Sequence, residues 1–200
     1  MKRKTFLFTH LILALGLVSF IGLNTPTGAA SSKVSIPAAP EVYTGNIIYY
    51  GGTRGSSTAT FTLTIDNWTS DDDVLRVTSA LKDGGQDALL KAIGKQRRGR
   101  IQIGGNIGQD INAVWISTGE EGERKITALA ERWVGFFEAR RGTRSLDYRF
   151  TYLQLYIDER GKGDGEMIPA AKVRYVGDRT IEVENFGIYP ARLVNVKRHK

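Results

Sequence analysis

The segment Phe150–Ile157 is apolar on both faces of the strand it would form, and this constrains the chain more than any other feature. Alternation of period 2 sends Leu153, Leu155 and Ile157 one way and Phe150, Tyr152 and Tyr156 the other. Such a strand belongs in the middle of a sheet covered on both sides. Proline is absent between Glu41 and Ile168, so nothing in that stretch forbids central strands. In 60–65, Phe61, Leu63 and Ile65 alternate with three threonines, which makes a strand with one apolar and one hydroxyl face. Further strands are expected at 42–50, 100–103, 111–117, 125–133, 171–176, 181–186 and 191–196.

The last hairpin can be read residue by residue. Val173 and Tyr175 alternate with Lys172 and Arg174, and Ile181 and Val183 alternate with Glu182 and Glu184. A two-residue loop would set Arg174 against Ile181. A three-residue loop, Gly177-Asp178-Arg179, pairs Arg174 with Glu182 and Lys172 with Glu184, each ion pair contributing about 0.2–1 kcal/mol. The second register is the expected one.

A helical insertion interrupts the strands. Ser70 ahead of Asp71, Asp72 and Asp73 is a helix start, with acids where the helix dipole favours them. Val74, Val77, Thr78 and Leu81 then share one face, and Gly84-Gly85 ends the run. A second short helix, 87–93, carries Leu89, Leu90 and Ile93 and stops at Gly94. The expected fold is mainly β, of the α+β type. It is an antiparallel, strongly curved sheet or barrel of about eight strands with a short two-helix insertion.

The opening residues read as a secretory signal. Lys2, Arg3 and Lys4 precede an apolar stretch, 6–23, broken only by Thr9, His10 and Ser19. Cleavage is expected after Ala29 or Ala30, the rival being retention of the stretch as an anchor. The absence of cysteine excludes a lipid-modified amino terminus. Residues 1–30 are thus a signal peptide, 31–40 (SSKVSIPAAP) a flexible tether, and 41–200 one β-rich domain. Residues 1–30 hold three of the 28 basic residues and none of the 21 acids, so the remainder carries 25 against 21, a net of +4. The expected location is the periplasm or the exterior, with no stable membrane span once the signal is cut.

Most routes to catalysis close on composition. There is no cysteine, and past the signal the only histidine is His199, at an end expected to fray. Thiolate chemistry, Cys- or His-based metal sites and a Ser–His–Asp triad therefore lack their side chains. No cofactor, metal site or catalytic residue is expected. The triple aspartate is explained by its helix start without a metal. The run 158–166 looks calcium-like, but Arg160 and Lys162 stand where ligands are required, so it reads as a glycine-rich hairpin tip. Gly104, Gly105 and Gly108 are too loosely spaced to cradle a phosphate. Asn67-Trp68-Thr69 matches a glycosylation tripeptide that is common by chance.

Three functional readings remain. The preferred one is a non-enzymatic binding or interaction module. Its sheet curls around an apolar small molecule, lined by some of Tyr49, Phe61, Leu63, Tyr152, Leu155 and Tyr156. The second is binding of anionic envelope polymers or lipid head groups. It would use Arg97, Arg98 and Arg100, then Arg140, Arg141 and Arg144 beside Trp133, Phe136 and Phe137, with 197–200 as a third cluster. Nucleic acid is not an expected partner, because the chain is exported. The third is a carboxylate-dependent hydrolase using two of Asp66, Asp110, Asp158 and Glu159, which sit at strand ends.

The runs 161–172 (GKGDGEMIPAAK) and 181–187 (IEVENFG), with Pro190-Ala191-Arg192-Leu193, resemble segments of small exported bacterial proteins of unassigned function. The resemblance covers the last quarter of the chain. It implies an exported bacterial protein and carries no activity, ligand or site residue.

Overall fold

Among the described residues ten antiparallel strands form one sheet, and one helical element packs on one of its faces. The computed structural model describes residues 38–52, 55–132, 147–177, 180–185 and 189–199, all within the compact unit Val34–Lys200. The signal segment, most of the tether, Trp133, Phe136, Phe137, Arg140, Arg141, Arg144, the hairpin tip Asp178-Arg179 and Lys200 lie outside the described residues. Among the described residues no helix is long and apolar enough to cross a membrane.

In chain order the elements are β1 (Glu41–Gly52), β2 (Gly55–Ile65), α1 (Asp71–Ile93), β3 (Gly99–Ile103), β4 (Gln109–Ile111) and β5 (Ala113–Thr118). They continue with β6 (Arg124–Glu131), β7 (Phe150–Ile157), β8 (Lys162–Gly177), β9 (Thr180–Asn185) and β10 (Ala191–His199). The ladder runs β4-β3-β2-β1-β10-β8-β7-β6-β5, with β9 pairing the far half of β8. Among the described residues no ladder joins its two ends, so the sheet is open in its hydrogen bonding.

β7 lies inside the ladder with both faces covered, as its sequence demands. Leu153, Leu155 and Ile157 join a core with Tyr43, Ile47, Phe61 and Leu63. Phe150 and Tyr152 join a second core, built by α1 through Val74, Val77, Leu81, Leu89 and Ile93. Full burial of one such side chain contributes about 1.5–3 kcal/mol, so the two cores are what orders this sheet.

α1 begins as its sequence requires. The Ser70 side chain accepts a hydrogen bond from the Asp73 amide at 3.2 Å, and Val74, Val77, Thr78 and Leu81 are all buried. Replacing Ser70 with alanine is expected to cost about 1 kcal/mol, read as a lower midpoint in thermal unfolding. Where two helices were expected there is one element, with Gly85 alone departing from helical dihedrals at φ 65°. Gly85 thus kinks the element between two helical stretches. The break presents Gln86, whose side chain accepts from the Val173 amide (3.3 Å) and donates to the Asp147 carbonyl (3.1 Å). Gly94 closes the helix, its amide donating to the Leu90 carbonyl at 3.1 Å.

The last hairpin has the expected register, Arg174 opposite Glu182 and Lys172 opposite Glu184. Arg174 contacts Glu182 at 3.6 Å and Glu184 at 3.9 Å. Gly177, read as loop, instead pairs with Thr180, and the register shift between Tyr175 and Gly177 absorbs the odd residue.

Two further expectations are corrected. The run 158–166 is a hairpin tip only as far as Gly161; from Lys162 onward it is the first half of β8. Gly163 and Gly165 serve close strand approach there, because a methyl group at either would run into the β7 carbonyls of Tyr156 and Gln154. The expected strand 111–117 is broken at Asn112 into β4 and β5. Those two strands are the opposite ends of the ladder, and one residue separates them. Asn112 is tied at this corner: its side chain accepts from the Glu131 amide (2.7 Å) and donates to the Gln96 carbonyl (2.9 Å).

Candidate functional site

A cleft of about 650 Å³ opens beside the first core. Its apolar lining is Ile101 and Ile103 of β3, Ile107 of the β3–β4 loop, and Met167 and Pro169 of β8. Three strands, β2, β1 and β10, separate β3 from β8 along the ladder. Ile101 and Ile103 face one way by alternation. The loop that follows turns back on glycines, and a methyl at Gly108 would sit 2.7 Å from the Ile101 carbonyl oxygen. Pro169 is placed by a bulge: Phe150 pairs with Ala171 but Tyr152 with Ile168, so β8 carries an extra residue where proline has no amide to donate.

A few polar groups border this apolar surface. Gln109 donates to the Glu131 carbonyl at 2.8 Å and lies 3.3 Å from the Thr151 hydroxyl, which donates to the Pro169 carbonyl at 3.2 Å. Gln109 thus ties β4 to β6 and β7, across the two ends of the ladder. Ile107 stands at the lip, 84% exposed.

The six aromatic and aliphatic residues singled out from sequence do not converge. Phe61, Leu63 and Leu155 are packed in the first core, 2%, 0% and 0% exposed, and Tyr49 lies half-buried against it. Tyr152 is on the opposite face against α1, its hydroxyl donating to the Gln154 side chain at 2.6 Å. Tyr156 faces that same way and borders a second cleft. Leu155 and Tyr156 are neighbours in one strand, and neighbours point to opposite faces. The cleft residues Ile101, Ile103, Ile107 and Met167 escaped the sequence reading because they are distant in the chain. Only the alternation of Ile101 and Ile103 hinted at them.

The first basic cluster is largely compensated. Arg100 holds Asp110 at 2.8 Å, Arg98 holds Asp73 at 3.2 Å, and Arg97 lies between Asp110 (3.5 Å) and Asp66 (3.9 Å). Hydrogen bonds from Arg76 and at Ser70 hold the Asp73 carboxyl below its ordinary range. Arg198 of the third cluster approaches Glu41 at 3.8 Å. The candidate carboxylates face arginines or turns rather than one another. Asp66 and Asp110 flank Arg97, and Asp158 accepts from the Lys162 amide at 2.8 Å in its hairpin, with Glu159 exposed beside it. His199 is not frayed: it pairs with Val42 in β10, and its ring lies 2.7 Å from the Thr44 hydroxyl. In the glycosylation tripeptide Asn67 is exposed, but Trp68 and Thr69 are buried, and the Thr69 hydroxyl accepts from the Val114 amide.

One polar centre had no cue in the sequence. Glu41, 8% exposed, accepts two hydrogen bonds from Arg124 (2.7 and 3.3 Å) and one from the Tyr43 hydroxyl (2.6 Å). The Arg124 guanidinium lies 5.1 Å above the Trp68 ring. Burial pushes the Tyr43 phenol well above its ordinary range, and the hydrogen bond to Glu41 adds to the shift. The arrangement joins β1 to β6, which do not pair in the ladder, so no local pattern could announce it.

Comparison with known protein families, curated proteins and solved structures finds no match to this chain.

Proposed function

We propose that this chain is an exported, non-enzymatic binding module that holds a small apolar molecule in the cleft bounded by β3, the β3–β4 loop and β8. The cleft itself carries the reading. Its volume of about 650 Å³ is within the range of small-molecule sites, and its isoleucine, methionine and proline lining is relieved by only a few polar groups. Curling of the sheet is part of the same reading. It is supported by the single residue between the terminal strands, by the Gln109 bridge from β4 to Glu131, and by a core drawn from both halves of the ladder. Export rests on residues 1–30 and on the resemblance of the last quarter to small exported bacterial proteins. A non-catalytic role rests on the missing thiols and on the one mature-region imidazole being engaged with Thr44.

The test is a fluorescence titration with N-phenylnaphthylamine, an apolar probe that brightens out of water. The wild-type chain is expected to bind saturably. Ile103→Trp, at a half-buried position on the cleft wall, is expected to weaken binding about tenfold or more by filling the space, with circular dichroism unchanged. Equal binding by this folded variant would sink the proposal, as would a wild-type chain that takes up no probe.

A further inference from the structure

A second cleft, of about 480 Å³, is lined by side chains of a different kind. Three tyrosines border it: Tyr50 from β1, Tyr156 from β7 and Tyr189 just ahead of β10. Asp164 and Glu166 of β8 and Arg192 of β10 complete the lining used here. Strand register places Tyr156 opposite Asp164 and Glu166 opposite Arg192, so the members of each pair project from one face. Tyr50 and Tyr189 are 37% and 73% exposed, so both rings are open to a ligand from solvent. Among the described residues neither Asp164 nor Glu166 has a side-chain hydrogen bond or ion pair.

Electrostatics give the cleft its sign. Burial first, then the charges of Glu166, Glu123, Glu120 and Asp164, raise the Tyr156 phenol above its ordinary range, so four carboxylates bear on that ring. The opposing cations are Arg192 at the rim and Lys125, whose ammonium sits 5.8 Å from the Tyr156 ring centre. Lys125 is the cross-strand partner of Tyr156, so strand pairing places its ammonium over that ring.

We propose that this cleft binds an organic ammonium ion, its alkylated head seated among Tyr50, Tyr156 and Tyr189 and its charge answered by Asp164 and Glu166. The ring quadrupole attracts a cation whose weak hydration lets it leave water readily, and the carboxylates add a directed charge. A bare metal ion is a poorer fit, since among the described residues no three acidic or histidine side chains are grouped to ligate one. An anion would meet the two carboxylates. The ammonium group could belong to a free solute or to a lipid head group, and the experiment separates the two.

The full chain is titrated with choline by calorimetry, alongside 3,3-dimethylbutanol, which has the same shape without the charge. Choline is expected to bind with a Kd of about 1 mM or tighter. The uncharged analogue is expected to bind about tenfold more weakly or not at all. Tyr189→Ala removes an exposed ring and leaves the fold intact; it should weaken choline about three- to thirty-fold. Asp164→Asn with Glu166→Gln should weaken choline likewise, whereas Lys125→Gln, which removes a competing cation, should tighten it. Ile103→Trp in the first cleft should leave choline binding unchanged, so each site is tested independently. Co-sedimentation with phosphatidylcholine vesicles, and not with phosphatidylglycerol vesicles, would assign the lipid source; choline binding without it would assign a free solute. Equal affinity for the uncharged analogue, an unaffected Tyr189→Ala variant, or no saturable choline signal overturns the proposal.

Discussion

Replacing Glu41 with alanine is expected to lower the stability of the fold by about 3–5 kcal/mol, because it leaves the Arg124 guanidinium enclosed with no counter-charge. The side chains of Arg124 and Glu41 are only 18% and 9% exposed, so solvent does little to screen what is lost. The Tyr43 hydroxyl also loses its acceptor, and Arg198 loses its nearest carboxylate. Total stabilities of domains this size are about 5–15 kcal/mol, so the variant is expected to sit near the edge of folding. Urea unfolding followed by tryptophan fluorescence reads the effect directly. Replacing the pair together, Glu41→Leu with Arg124→Leu, is expected to recover most of the loss, since two apolar side chains avoid the cost of enclosing a lone charge. A single Glu41→Ala variant that loses less than about 1 kcal/mol would show that water reaches the pair and that β1 and β6 are held otherwise.

Three glycines of β8 are expected to give opposite outcomes under the same change to alanine. At Gly163 the new methyl would run into the Tyr156 carbonyl and lie 3.1 Å from the Ile157 Cα. At Gly165 it would meet the Gln154 carbonyl and stand 2.9 Å from a Leu155 methyl. The obstacles at both sites include backbone of the adjacent central strand, which cannot swing aside, so each change is expected to cost about 3 kcal/mol or more. At Gly177 the nearest heavy atom, the Thr180 Cβ, is 4.0 Å away, and the backbone is not left-handed. Alanine there is expected to be neutral or to stabilise by about 0.4–1 kcal/mol, through the narrower unfolded ensemble. Thermal and urea unfolding of the three variants check the contrast. Alanine that is neutral at Gly163 and Gly165 as well would mean that β7 and β8 have room to separate and that glycine does not set how closely they approach.

These glycines show where residue patterns mislead. Gly161, Gly163 and Gly165 in one short run look like turn chemistry, and only the first of them turns. The other two stand in a strand because a neighbour passes too near for a side chain, and that neighbour is set by pairing. Asn112 is similar. It interrupts an apolar alternation that reads as one strand, yet its amide group makes the corner by which the chain passes from one end of the ladder to the other.

What could be read from the residue order was whatever depends on neighbours a few positions away. Ser70 and the three aspartates start a helix, alternating apolar residues make strands, two apolar faces put β7 inside the sheet, and opposite charges register the last hairpin. Each is a short-range contest between local hydrogen bonding, side-chain direction and burial, and the answer is written in the segment itself. Both clefts, the Glu41–Arg124 contact and the compensation of Arg97, Arg98 and Arg100 depend on groups brought together from separate strands and loops. Which faces meet is settled by how ten strands order themselves and where bulges shift them. Ile103 and Met167 share a wall although the chain sets them far apart. Leu155 enters the core while Tyr156 turns away to the second cleft, because pleating sends adjacent residues to opposite faces and packing alone decides what each face meets.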